Sequence, residues 1–323
     1  MLHRYMKSVL GYVAIAFVLM LCACAPVEPE APVSFEPLAS IPVGRASAVS
    51  FSVGGKGYVL GGRTATKGGY LNDFWMYDPP HNEWIQLPDA PFKARVNAVA
   101  QVSGDKVFVG LGYNGGGVYD TTSYQRDWWM YDTQSGEWER RADYPTYETA
   151  GASAFAVGDD IMVCFGYYDH ATNHVYAYNV PDDKWRRIDA SVCSGKEESI
   201  AGSVGGRHFV GTCARWYEYI AADGRWVTRS VIPNETSRLC AGSVTISGSL
   251  FMIGGRVAWQ DIKVYDEVWE YMVDADRWRL RGYTPNGGRE NLVAFEIGGI
   301  VYVGFGENED GEVLDDFYKM VIP

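Results

Sequence analysis

The stretch Ala46–Trp84 reads ASAVSFSVGGKGYVLGGRTATKGGYLNDFWMYDPPHNEW. It holds four strand signals in succession. An alternating small and apolar run reaches Val53, a Gly54-Gly55 turn follows, and a second run closes on Gly61-Gly62. After a loop come a run carrying Tyr77 and another starting at Trp84. Two-residue hairpin loops need positive φ, which glycine adopts without steric cost, so Gly54-Gly55 marks the turn between the first two strands. A strand-rich unit recurring every 40 to 55 residues or so is the mark of a propeller.

The rest of the chain repeats the pattern. The hairpin turn returns as Gly104-Asp105, Gly158-Asp159, Gly205-Gly206, Gly248-Ser249 and Gly298-Gly299. The second strand closes at Gly62, Gly112, Gly166, Cys213, Gly255 and Gly306, with spacings of 50, 54, 47, 42 and 51. Third strands carry a tyrosine, as in DFWMYD at 73–78, DWWMYD at 127–132, VYAYN at 175–179 and VWEYM at 268–272. Fourth strands start at Trp84, Trp138, Trp185, Trp226 and Trp278.

Double glycine, tyrosine and tryptophan in this order resemble the kelch repeat, and the resemblance covers residues 34–323. It implies an all-β fold, a six-bladed propeller, and says little about activity, because one fold hosts many functions. The sixth copy stops at DDFYKMVIP (315–323) without a fourth strand, while Phe35–Pro42 matches the pattern around Trp84 with Phe in place of Trp. The amino-terminal strand is therefore predicted to complete the last blade and leave no open edge.

Ahead of that strand lie Arg4 and Lys7, an apolar run from Val9 to Met20, and Leu21-Cys22-Ala23-Cys24. This resembles the bacterial lipoprotein signal, which implies removal of residues 1–23, a lipid on Cys24, and a membrane-anchored protein of the outer membrane, facing the periplasm or the surface. The apolar stretch is too short to span a bilayer comfortably. Residues 24–33, with alternating Pro and Glu, are expected to form an extended spacer.

The full chain carries a net charge of −12. Loss of Arg4 and Lys7 would take it to about −14. With no basic stripe to release counterions from phosphates, a nucleic-acid partner is disfavoured.

Propeller topology puts the links between blades and the long loops between second and third strands on one face. Variable loops on a rigid scaffold are where binding normally resides. Nine residues before each hairpin glycine, where the chain enters the innermost strand, stand Arg45, Arg95, Thr149, Lys196, Leu239 and Arg289. One residue earlier lie Glu148 and Arg238. A cationic channel mouth made of Arg45, Arg95, Lys196, Arg238 and Arg289 with Glu148 suggests an anionic ligand, such as a carboxylate gripped by the planar guanidinium fork. The alternative is that these arginines only hydrogen-bond neighbouring loop carbonyls.

The resemblance to galactose oxidase does not extend to its copper site. Past the signal segment the histidines are His81, His170, His174 and His208, of which only His170 and His174 share a loop, so neither metal nor cofactor is expected. The periplasmic kelch family of N-acetylneuraminate epimerases is a closer enzyme resemblance. It implies an arginine for the sugar carboxylate and an acid and base near the anomeric centre, with Glu148, Glu198, His170 and Arg289 as candidates by location. Cys164, Cys193, Cys213 and Cys240 permit three pairings, Cys213 with Cys240 being preferred, or remain buried thiols. The sequence thus reads as a membrane-tethered binding module for a glycan, an anionic small molecule or a protein partner, with a sialic acid mutarotase as the alternative.

Overall fold

The computed structural model describes residues 28–66, 69–115, 121–146, 149–168, 171–195, 198–232, 238–257 and 263–323. These form six four-stranded antiparallel sheets, with a short two-stranded pairing of Arg238–Leu239 against Arg256–Val257. The strands of each sheet are called a to d from the centre outward, and those of blade 1 are Val49–Val53, Lys56–Arg63, Tyr70–Asp78 and Glu83–Leu87. The remaining a strands are Val99–Ser103, Ser153–Val157, Ile200–Val204, Gly242–Ile246 and Val293–Ile297. Each touches the a strands before and after it, and the last touches the first, so the propeller ring is closed. No helix among the described residues is long and apolar enough to cross a membrane.

Blade 6 is completed from the other end of the chain, as the sequence predicts. Ser34–Pro37 pairs antiparallel with Phe317–Val321, Ser34 opposite Val321 and Pro37 opposite Tyr318. The segment before it, read as spacer, is also engaged. Glu30 and Val33 donate backbone hydrogen bonds to Leu280 and Arg281 of blade 5, and the Arg281 guanidinium returns one to the Ala31 carbonyl.

Aromatic residues join blade to blade. An aromatic near the start of strand c packs on the Tyr and Trp of the next blade: Phe74 on Tyr131 and Trp138, Trp128 on Tyr178 and Trp185, Trp216 on Tyr271 and Trp278, Phe317 on Tyr77 and Trp84. Each such contact adds about 0.5–1.5 kcal/mol beyond the area buried. The same tryptophans and tyrosines use their polar ends as latches. Trp84, Trp185 and Trp278 donate to the carbonyls of Ala39, Ala142 and Ser230 in the preceding links. Tyr77, Tyr178 and Tyr271 donate to Asn82, Asp183 and Asp276, whose side chains accept from the N–H groups of those same three link residues.

The innermost closure is made by backbone alone. Where each link enters its a strand, one residue takes a left-handed conformation: Ser47, Asn97, Gly151, Glu198, Cys240 and Asn291, with φ between 52° and 62°. The N–H of each donates to the carbonyl at the same position in the preceding blade, at 2.7–3.3 Å, and Ser47 closes the cycle on Asn291. Five of the six are not glycine, although this region is disfavoured for residues with a Cβ. The closed cycle over-determines a conformation that each residue alone would leave.

Removing residues 34–42 strips blade 6 of its outer strand and removes the Ala39 latch to blade 1. The shortened protein is expected to lose its single cooperative melting transition or to aggregate through the exposed edge. Thermal unfolding followed by circular dichroism checks this, and an unchanged melting temperature would count against closure by this strand.

Candidate functional site

The face reached through the a-strand links carries the channel mouth. Among the arginines expected there, three make one repeated contact. Arg45 grips Asp73 with both terminal nitrogens (2.8 and 2.9 Å) and reaches the Gly61 carbonyl. Arg95 does the same with Asp127 and Leu111, and Arg289 with Asp316 and Phe305. Arg238 bonds Glu267 at 2.5 Å. All four guanidinium-bearing residues are buried, none more than 3% exposed. Thr149, the uncharged counterpart in blade 3, bonds the Tyr167 carbonyl through its hydroxyl. Glu148, Lys196, His170 and Cys24 lie outside the described residues.

The carboxylate of each pair is held twice. Trp75, Trp129, Trp269 and Tyr318 each donate to the acid two residues before them, Asp73, Asp127, Glu267 and Asp316. Burial by itself would raise the Asp127 carboxyl, but the bond from Arg95 and its positive charge outweigh burial and hold it below the usual carboxylate range. The arrangement clamps strand b, the start of strand c and the link of one blade to each other. An anionic ligand at Arg45, Arg95 or Arg289 must displace a carboxylate already bound through two oxygens. The sequence carries a signal for these partners, an acid two residues before an aromatic at the start of each of these third strands.

The side chains that do line the mouth are different ones. A cavity of about 130 Å³ is bounded by Ser47, Asn97, Glu198, Cys240 and Asn291 together with small residues. Asn97 of blade 2 donates to Glu198 of blade 4 at 2.8 Å, a bond that passes over Gly151 of the intervening blade. The Cys240 thiol donates to the other Glu198 oxygen at 2.7 Å and lies 3.5 Å from the Arg256 Nε. Arg256 pairs with Glu290 at 2.8 Å, Asn291 donates to Glu290, and Arg63 of blade 1 pairs with Glu307 of blade 6. Burial raises the carboxyl of Glu290 and pushes the Cys240 thiol well up. Of the acid and base candidates read from sequence, Glu198 stands at the mouth. Asn97, Arg256 and Glu290 carry no signal in the sequence, and Cys240 stands out there only as a disulfide candidate, because their convergence joins blades far apart in the chain.

No disulfide joins Cys164, Cys193, Cys213 and Cys240; all four are buried thiols. The preferred pair of Cys213 and Cys240 is absent: Cys213 sits in an apolar cluster with Trp216, Ile232 and Leu250, while Cys240 faces Glu198. Burial pushes the Cys193 thiol up to about 12.

The rest of this face divides in two. Over blades 1 to 3 half-buried tyrosines gather around the buried Tyr124: Tyr113 and Tyr168 lie 5.0 and 5.5 Å from it, Tyr167 6.3 Å, and Tyr70 is 6.3 Å from Tyr113. Around the rim, the links and the link-side end of one outer strand carry the large hydrophobic residues exposed among the described residues, Val43, Val192, Val231 and Tyr283.

Comparison with known proteins follows the same lines. The family described as the KLHDC2/KLHL20/DRC7 Kelch-repeats domain matches residues 33–210. Kelch-like protein 23 of Homo sapiens is 24% identical over 245 residues, which is 72% of this chain and 41% of that protein. The chain therefore spans about two fifths of the length of that relative. The N-acetylneuraminate epimerase of Haemophilus influenzae (strain PittEE) is 22% identical over 285 residues, 68% of this chain and 76% of the enzyme. A Kelch domain-containing protein of Vibrio cholerae is 28% identical over 145 residues, 43% of this chain and 38% of its own.

Changing Arg95 to Ala leaves Asp127 buried without its counter-charge, and removing one partner of a buried pair costs about 3–5 kcal/mol. The variant is expected to melt well below the parent. Because the folded carboxyl of Asp127 is depressed, the pair's contribution is complete above the ordinary carboxylate pKa of about 4 and is lost as pH falls through the lower folded value. The difference in stability between parent and variant should therefore shrink at acid pH. Denaturant unfolding at neutral and acid pH measures this, and a constant difference would remove the pair as its source.

Proposed function

The chain belongs to the kelch-repeat family of propellers, and from that premise we propose that it is a binding module whose partner is a polypeptide docking on the face around the channel mouth. One observation carries the reading: Val43, Val192, Val231 and Tyr283, the large hydrophobics exposed among the described residues, all stand on that face. Large apolar side chains exposed on one face are surface that a partner can remove from water, and tyrosine, the class of Tyr283, is enriched among interface hot spots. The tyrosine group over blades 1 to 3 adds rigid surface with hydroxyls at its edge.

The experiment is site-specific photo-crosslinking in the native host. A crosslinker replacing Val192 is expected to give discrete protein adducts, and one replacing Asp182, at a hairpin turn on the opposite face, is not. Equal adducts from both positions, or none from Val192, would remove the assignment.

A second reading has its own support. Glu198 lines the mouth cavity and Glu290 with Arg256 stands beside it, two acids and a cation, the minimum for taking a proton from an anomeric hydroxyl and giving one to the ring oxygen, and the epimerase likeness covers 68% of the chain. If the chain is a mutarotase, it will accelerate equilibration of N-acetylneuraminate anomers, followed by proton NMR. Glu198→Gln should then lose about 100-fold or more. No acceleration by the parent leaves the binding module alone.

We propose further that the module is tethered through Cys24, on the strength of Leu21-Cys22-Ala23-Cys24 after an apolar run. Cys24→Ser is expected to move the protein out of the membrane fraction or to block its processing. Membrane material that remains acylated in the variant would exclude Cys24 as the lipid site.

A further inference from the structure

One sector of the mouth face differs from the rest in charge. The b–c loop of blade 6 reads Glu307-Asn308-Glu309-Asp310-Gly311-Glu312-Val313-Leu314-Asp315 and contains no basic residue. Its shape is set internally by Asn308. The Asn308 carboxamide oxygen accepts from the N–H groups of Asp310 and Glu312, its amide donates to the Glu312 carboxylate, and its backbone N–H donates to the Glu312 carbonyl. Glu309, Asp310, Glu312 and Asp315 are exposed. Among the described residues no Lys or Arg pairs with Glu309, Asp310 or Asp315, in contrast to Glu307, which Arg63 neutralises.

Two of the exposed hydrophobic residues flank this loop. The link carrying Val43 runs beside it, with Ile41 and Arg45 donating to the carbonyls of Asp315 and Leu314. Gly44 meets the Leu314 carbonyl so closely that a Cβ there would stand 3.0 Å from it. On the other side Tyr283 ends the outer strand of blade 5, and the link after it is tied to blade 6 by the Asn286 bond to Tyr318. Val43 is 40% and Tyr283 46% exposed. A preformed loop in which Glu309, Asp310 and Asp315 have no cationic partner among the described residues, set between two apolar anchors, costs self-repulsion that the Arg63 pair at Glu307 and the Asn308 bond to Glu312 offset only in part.

We infer that this sector, the loop 307–315 with Val43 and Tyr283, docks a basic segment of a partner polypeptide that carries apolar residues beside its lysines or arginines. The inference rests on the binding-module reading and names the chemistry of the partner. Charge complementarity selects it: cationic side chains pair with Glu309, Asp310, Glu312 and Asp315 while their apolar neighbours cover Val43 and Tyr283. An acidic peptide meets charge of its own sign, and the net charge of −12 extends that repulsion over the molecule.

The test titrates the full chain with a fluorescent synthetic peptide of alternating lysine and leucine, and with its glutamate and leucine counterpart. The lysine peptide is expected to bind and the glutamate peptide not. The variant E309K/D310K/E312K should weaken binding at least about tenfold, and V43D should do so separately. A matched reversal on the opposite face, D159K/D182K/D274K, should leave it unchanged; melting temperatures confirm that each variant is folded. If that control weakens binding equally, or V43D has no effect, the attraction is diffuse charge and the sector is not a site. If the loop variants have no effect but Tyr113→Asp and Val192→Asp abolish binding, the module reading stands and this inference falls. Self-association of the parent that V43D abolishes would make the occupant a second copy of the chain and overturn the inference as well.

Discussion

A buried guanidinium held through both terminal nitrogens by one carboxylate is the contact on which much of this ring depends. Arg45 with Asp73, Arg95 with Asp127 and Arg289 with Asp316 each tie the link of a blade to the start of its third strand, and each also reaches a carbonyl at the end of the second. Two residues after each of these arginines the chain turns left-handed, at Ser47, Asn97 and Asn291, and joins the closed cycle of six backbone hydrogen bonds. A charge buried without its partner is expensive, so the clamp has one low-energy arrangement. That fixes where each innermost strand begins and hence the width of the mouth.

The clamp also decides the electrostatics of the binding face. Its arginines are consumed by the fold, and what remains towards solvent is acidic around blade 6, aromatic over blades 1 to 3 and apolar at the links. The polar lattice of Asn97, Glu198, Cys240, Arg256 and Glu290 lies between these regions and draws on blades 2, 4, 5 and 6. Side chains so connected give a mouth whose geometry is set by the whole ring rather than by any one loop.

Much of the fold was legible in the sequence because a propeller repeats one local solution. The glycine dipeptides require a conformation that few other residues tolerate, and the Tyr and Trp positions recur because each blade must offer the next the same packing surface. Phe35 could be placed as the outer strand of blade 6 for the same reason: it sits where five other blades have Trp. The site was legible only by position. Arg45, Arg95 and Arg289 were correctly located at the start of the a strands, but their partners stand 28, 32 and 27 residues later, and an arginine alone does not reveal whether its charge is spent.

The number of blades, five of the six hairpin turns, the strand order and the strand that closes the ring follow from local periodicity and from counting; in blade 5 the turn falls on Ser247-Gly248, one residue ahead of the expected Gly248-Ser249, which leaves Ser249 as the first residue of the second strand. Which charges are neutralised and which face solvent is settled by the folded ring alone. Asn97 and Glu198 are 101 residues apart and Cys240 and Glu198 are 42 apart, and they meet only because the ring brings equivalent positions of different blades to one axis. Charge pairing depends on distances of a few ångströms between such positions, and no local pattern encodes those.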